Sequence, residues 1–182
     1  PSGFFELCHD QVLPQLDFPD NGLDEDCDGA DRTGAVIGFG PGIRVVPNNA
    51  TFTVDILVPG LESLTPDEIV AAYDLTVRYD FSLIRVNSVS FGTALTPSFR
   101  ASGGPLGSLN LAELSREADT VLQTAQPNTV ILATITFRTI APGTSPIAFA
   151  PHPVFGQDVK GRNAQVLPLP VSNTTVIVTP EP

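Results

Sequence analysis

The chain has no methionine and no tryptophan, only two tyrosines, two histidines and two cysteines, and one lysine among its nine basic residues. Each shortage removes a class of function. So few cations against twenty acids, for a formal charge of −11, cannot neutralise a run of phosphates, and this excludes nucleic acid as a partner. His9 and His152 have no companions at ligand or relay spacing, so neither a histidine-based zinc site nor a catalytic triad is encoded. Ser115 has no G-x-S-x-G context. Glu113 and Asp119 could form a carboxylate pair, but position along the chain does not give their separation. These absences predict that the protein is not an enzyme. No apolar run approaches the length of a membrane-spanning helix.

The lack of tryptophan also bears on glycans, because carbohydrate-binding modules stack sugar rings on exposed tryptophan or tyrosine. Tyr73 and Tyr79 are an even number of residues apart in one predicted strand. They therefore share a face, and are expected to pack in the core or to bond to backbone. A calcium-dependent carbohydrate-binding module is kept as the alternative reading.

What the chain does have is a concentration of acid near its start. Between Asp20 and Asp31, five aspartates and one glutamate surround Cys27. Residues 1–33 hold nine acids and one base, for a charge of −8, whereas the other 149 residues carry only −3. Asp24, Asp26 and Asp28 alternate and Gly29 follows, the D-x-D-x-D-G half of a calcium loop. Alternate carboxylates can converge there on one hard cation, and without it they would repel one another. Calcium is the predicted cofactor, held by Asp24, Asp26 and Asp28, with Asp20 and Asp31 completing the shell. Position twelve of the loop is Ala35 rather than glutamate, so the bidentate ligand of a full EF-hand is missing.

Cys8 and Cys27 bracket this segment without a C-x-x-C motif. Beside oxygen ligands, a disulfide closing a loop of about 20 residues is expected, worth roughly 3 kcal/mol. Together with a start at Pro1, this predicts an exported chain whose signal peptide has been removed. Two parts are expected: a disulfide-closed acidic calcium-binding segment over 1–33, and a β-domain over 34–182.

Beyond Arg32 the pattern changes to short β-branched runs separated by Gly, Pro and Asn. The predicted strands are Ala35–Phe39, Ile43–Val46, Thr51–Val58, Ala71–Tyr79, Leu83–Phe91, Leu109–Leu114, Val130–Ile140, Ile147–Phe149 with Val154, Val166–Leu169 and Thr174–Thr179. Phe52, Val54, Ile56 and Val58 alternate with Thr51, Thr53 and Asp55, and Ala133–Arg138 repeats the device. About nine strands at this spacing predict an all-β sandwich or jelly roll. Short helices are expected over Ser63–Ala72, capped by Thr65, Pro66 and Glu68, and over Ser115–Gln126, with Leu114, Ala118, Val121 and Leu122 as its apolar stripe. The Gly- and Ser-rich stretch Ser98–Ser108 is expected to be an exposed loop.

The order of segments resembles the cohesin-like domains of secreted bacterial and archaeal proteins, over roughly Ile43 to Thr179. The likeness rests on Thr51–Ile56 followed by Val58-Pro59-Gly60-Leu61, on Ala72–Asp80, Ser82–Val86 and Val89–Gly92, on Ala112–Ser115, and on Leu132–Phe137 with Ala141–Ser145. It departs at Phe81, where the family's turn has proline. The resemblance implies a nine-stranded jelly-roll sandwich, without enzymatic activity, used for protein attachment or assembly outside the cell. Glu6–Asp10 leading to Asn21–Gly29 is similar to the Cys-Asp-Gly repeats of secreted bacterial proteins, which are associated with metal binding. The final Pro180-Glu181-Pro182 resembles the start of Pro-Glu-Pro sorting signals.

The expected role is thus a structural or attachment module at the cell surface, or in an extracellular filament or matrix. It would contact itself or another surface protein. Phe4, Phe5 and Leu7 form an apolar leader, and Val176, Ile177 and Val178 a β-prone tail, so both are candidates for contact between copies. Asn49-Ala50-Thr51 and Asn173-Thr174-Thr175 match the glycosylation sequon. If the acidic segment organises assembly, the purified chain sizes larger in calcium than in chelator. The same monomer in both, at high concentration, refutes that role.

Overall fold

The apolar–polar alternation of the longest strands builds two facing sheets. The computed structural model describes residues 35–61, 69–118, 121–122, 126, 129–150, 158–161, 167 and 169–181. Its strands are β1 (Gly38–Gly40), β2 (Arg44–Pro47), β3 (Thr51–Pro59), β4 (Ala72–Tyr79), β5 (Ile84–Phe91), β6 (Pro97–Gly103), β7 (Ser108–Ser115), β8 (Thr129–Thr139), β9 (Gly143–Ala150), β10 (Asp158–Lys160) and β11 (Thr174–Thr179). One sheet runs β1-β3-β8-β5 and the other β2-β11-β9-β4-β7-β6. β10 pairs with the first half of β4 and β9 with its second half, so both occupy the same edge of β4. The arrangement is a cohesin-like jelly-roll sandwich.

Burial follows the predicted alternation. Phe52, Val54, Ile56 and Val58 of β3 are buried and Thr51 and Thr53 exposed, while Ala133, Ile135 and Phe137 of β8 point into the same core. A bulge between Ile56 and Leu57 breaks the register with β8, and Leu57 packs separately against Val36. Across the sandwich the core meets Tyr73, Leu75, Val77, Leu109, Leu111 and Ile147. Aromatic contacts form two groups. The Phe137 ring stacks on Phe52 at 5.5 Å and takes the edge of Tyr79 at 5.4 Å, while Phe39 stacks on Phe149 at 4.2 Å. Tyr73 and Tyr79 do share the inward face.

Several expectations are corrected. The stretch expected as an exposed loop contains strand β6, paired antiparallel with β7. β10 was not foreseen, and the described residues of the expected strand Val166–Leu169, Leu167 and Leu169, lie outside any strand. Leu114 and Ser115 end β7 rather than opening a helix. Of the described residues in the expected second helix, Val121 and Leu122 are helical and donate to the Ala118 carbonyl. Its stripe is not one buried face, since Leu122 is buried while Leu114 and Val121 are exposed. The cap expected at Thr65, Pro66 and Glu68, and Val154, lie outside the described residues. The expected tail contact is also placed differently. β11 is paired on both sides, parallel to β2 and antiparallel to β9, and Val176 and Val178 are buried in the core. It therefore offers no open edge there, and of the three expected contact residues only Ile177 is on the outer side.

The turn lacking the family's proline closes by other means. The Asp80 carboxylate accepts from the Ser82 amide at 2.9 Å and from the Ser82 hydroxyl at 2.6 Å, and these bonds hold it below the usual carboxylate range. Leu83 and Ile84 donate to the Asp80 carbonyl.

Phe137→Ala removes a fully buried ring with two aromatic neighbours, and should cost about 3–5 kcal/mol in urea unfolding. Thr53→Ala on the outer face should change stability by less than about 0.5 kcal/mol.

Candidate functional site

The sequence-predicted ligands Asp20, Asp24, Asp26, Asp28 and Asp31, the cysteines Cys8 and Cys27, and the apolar leader Phe4, Phe5 and Leu7 all lie outside the described residues. Ala35, at the twelfth position of the acidic loop, is described and is buried in the sandwich core. Among the described residues no three His, Cys, Asp or Glu side chains converge as a metal site would require.

The charged groups that do converge lie beneath β6 and β7. Glu113 projects inward from β7 and is 2 % exposed. Burying a carboxylate is tolerable only when its oxygens are satisfied. Arg100 Nε, on β6 directly opposite in register, donates to Glu113 Oε1 at 2.7 Å. The Tyr73 hydroxyl, on β4, lies 2.8 Å from Glu113 Oε2 and 2.9 Å from the Leu132 carbonyl of β8 in the opposite sheet. Burial, and then the Glu113 hydrogen bond and charge, push the Tyr73 phenol well above its ordinary range, so it remains protonated. Arg100 also donates through Nη2 to the Gly92 carbonyl at 2.9 Å, and its guanidinium lies 5.2 Å from the Phe91 ring centroid. One chain of polar contacts thus ties the edge of the larger sheet to β5 and β8 of the smaller one. Gly92 is needed for this closeness, because a Cβ there would run into the Ile131 carbonyl oxygen. Tyr73 is as buried as Glu113, so no substrate reaches this pair and its work is structural.

The same register sets the opposite face. Because Arg100 and Glu113 point inward, Phe99 and Leu114 stand side by side outward, 54 % and 40 % exposed. Around them the next positions are small, with Ala72 beside Leu114 and Ala101 beside Ala112. Asp74, opposite Ala112, adds a charge. A shallow groove of ≈ 380 Å³ runs between Asp74, Phe99, Ala101, Asn110 and Ala112. A flat floor of small side chains with two exposed apolar groups at one corner suits contact with another protein. Sequence reasoning missed this face because it missed β6. The available signal was Gly104-Pro105-Leu106-Gly107, a four-residue hairpin connection between Gly103 and Ser108. At Gly104 a Cβ would meet the Ser108 carbonyl oxygen.

Similarity to known proteins is found only in structure. No protein-family profile matches the chain, and no curated protein matches its sequence. The chain is similar to a non-cellulosomal cohesin from the archaeon Archaeoglobus fulgidus, with 11% identity and a TM-score of 0.60, over 81% of this chain and 92% of that one. It is similar also to a type II cohesin from the cellulosome of Acetivibrio cellulolyticus, with 15% identity and a TM-score of 0.63, over 79% and 95% of the two chains. A third is the sixth cohesin of scaffoldin B from the same organism, solved in complex with a Cel5 dockerin, with 15% identity and a TM-score of 0.62, over 81% and 100%.

The buried ion pair is asymmetric, since Glu113 is sealed and the Arg100 side chain is 35% exposed. Arg100→Ala should therefore cost about 3–5 kcal/mol, because it strands a buried carboxylate. Glu113→Gln leaves a cation that reaches water and should cost only about 1–3 kcal/mol. Equal losses in urea unfolding would contradict this account.

Proposed function

We propose that the chain is a non-catalytic docking module of an exported protein, which binds a protein partner through the outer face of β9, β4, β7 and β6. The observation that carries this reading is the exposed Phe99–Leu114 pair, set by the buried register beneath it on a floor of alanines. A cohesin of the same fold solved in complex with a dockerin supports it, as a case of this architecture receiving a protein. In our reading the work is attachment at the cell surface or in an extracellular matrix or filament. The acidic segment binds calcium through Asp24, Asp26 and Asp28, and is closed by a Cys8–Cys27 bridge. Calcium there has a structural role: it cancels carboxylate repulsion in a segment too short to have its own core.

Glycan binding is the weaker reading. Both tyrosines are turned to the core, and Tyr73 is spent on Glu113 and the Leu132 carbonyl. Among the described residues, the exposed rings of this chain are Phe81 and Phe99, which are not side by side.

The experiment is titration calorimetry against a panel of dockerin modules, including the Cel5 dockerin, paired with a glycan array. Binding to a dockerin, weakened by about 30-fold or more in Phe99→Asp with an unchanged unfolding midpoint, is the expected outcome for a central apolar anchor. Glycan binding by a monomer, with no dockerin bound, would overturn the reading.

A further inference from the structure

The outer face of the smaller sheet carries a juxtaposition that the docking reading does not use. Three rows cross β3, β8 and β5 at matched register. The first is Thr51, Arg138 and Arg85, the second Thr53, Thr136 and Ser88, and the third Asp55, Thr134 and Ser90. Arg138 and Arg85 are therefore directly opposite one another on neighbouring strands, and both are exposed. Like charges in that position are about 5 Å apart at Cβ and destabilise the sheet. With only nine basic residues in the chain, placing two of them opposite each other needs an explanation.

None of the neighbouring acids supplies one. Among the described residues neither arginine makes an ion pair or side-chain hydrogen bond. Asp55, two rows away, accepts from the Thr134 hydroxyl at 2.6 Å, and Glu181 accepts from Asn49 Nδ2 at 2.8 Å. Edge protection accounts for Arg85, since β5 ends the sheet, but not for Arg138, since β8 is an interior strand. A bulge between Val86 and Ser88 adds Asn87, exposed, beside the pair. Two adjacent guanidinium forks flanked by hydroxyls match successive carboxylates. Phe52, Phe91 and Phe137 all turn inward from these strands, so the face offers no ring for a sugar or base to stack on.

We propose that the Arg85–Arg138 row receives the acidic segment Asp20–Asp31 of a second copy, so that copies join head to tail. Charge complementarity carries the choice of occupant: residues 1–33 hold −8 of the chain's −11, and one bound calcium ion would still leave −6 there. The end of the chain's own segment nearest the sandwich is poorly placed for the same contact. Val36 donates to the Pro59 carbonyl, so the sandwich begins at the far end of β3 from Thr51, about 26 Å away at strand rise. Asp28 lies seven positions before Ala35, a reach of at most about 25 Å, and Asp31 reaches less. Asp24 and Asp20, eleven and fifteen positions before Ala35, reach far enough for contact within one copy, so a monomeric wild type is the outcome that would assign the row to the chain's own segment. This surface is independent of the Phe99–Leu114 face, so either proposal can fail alone.

The test is sedimentation velocity of the full chain over a rising concentration series in calcium-containing buffer. Wild type should form a concentration-dependent series of oligomers that dissolves near 1 M salt, where the screening length is about 3 Å. Two variants divide the contact: Arg85→Glu with Arg138→Glu removes the socket, and Asp24→Asn, Asp26→Asn and Asp28→Asn removes the plug. Each alone should be monomeric, with association weakened about 10-fold or more. Mixed together they should form a one-to-one dimer and nothing longer. A wild type that remains monomeric, or a socket variant that assembles like wild type, overturns the proposal. So does a monomer retained on a sulfated polysaccharide through the two arginines, which would assign the face to an acidic glycan. Unchanged unfolding midpoints for the socket variant exclude misfolding as the cause of any loss.

Discussion

A carboxylate with almost no access to water sits between the sheets, and much of the larger sheet's edge is arranged to satisfy it. Glu113 needs a cation and a hydroxyl within reach, and it finds Arg100 and Tyr73. Those contacts require β6 to lie in one register on β7, since a slip by one residue would turn Arg100 outward. The same contacts reach the Leu132 carbonyl and Gly92, closing the side where β5 and β6 leave the sandwich. Packing against the apolar core supplies most of the stability. The polar chain supplies uniqueness, and the exposed apolar pair on the other side of β6 and β7 follows from it.

Most of the sandwich was legible because period-two alternation is strong where one face is wet and one dry. β3 and β8 show it best, with threonines outward and Phe52, Val54, Ile135 and Phe137 inward. β6 was not legible because its stability is not written in its own residues. Ser98, Ala101, Ser102 and Gly103 have little strand preference, and the segment is held by an ion pair whose partner is thirteen positions away. The tail misled for the converse reason. Thr174–Thr179 reads as β-prone, but propensity does not distinguish an open edge from a strand paired on both sides. The candidate docking face depended on β6, so it was the least readable part of the domain. The row of facing arginines was hidden as well, because nothing in the order of residues announces that Arg85 and Arg138 are neighbours.

Structures only 11–16% identical to this chain share its architecture. The pattern of inward and outward positions constrains the fold far more tightly than the identities of the residues. What a given sandwich contacts depends on the few side chains added to its outer faces. Here two such faces have opposite character, one with an apolar corner on small residues and one with hydroxyls and paired cations. On the two proposals made above, that division would let attachment to a partner and association between copies proceed on separate surfaces.

The parallel pairing of β2 with β11 has a mechanical consequence. These strands lie close to the two ends of the sandwich, and their backbones are joined from Arg44–Val176 to Pro47–Thr179, with Asn48 donating to the Thr179 carbonyl. Tension entering through one strand and leaving through the other would load those bonds in shear, all together rather than one after another. A module anchored at one end and pulled at the other would resist unravelling at the place where the force is greatest.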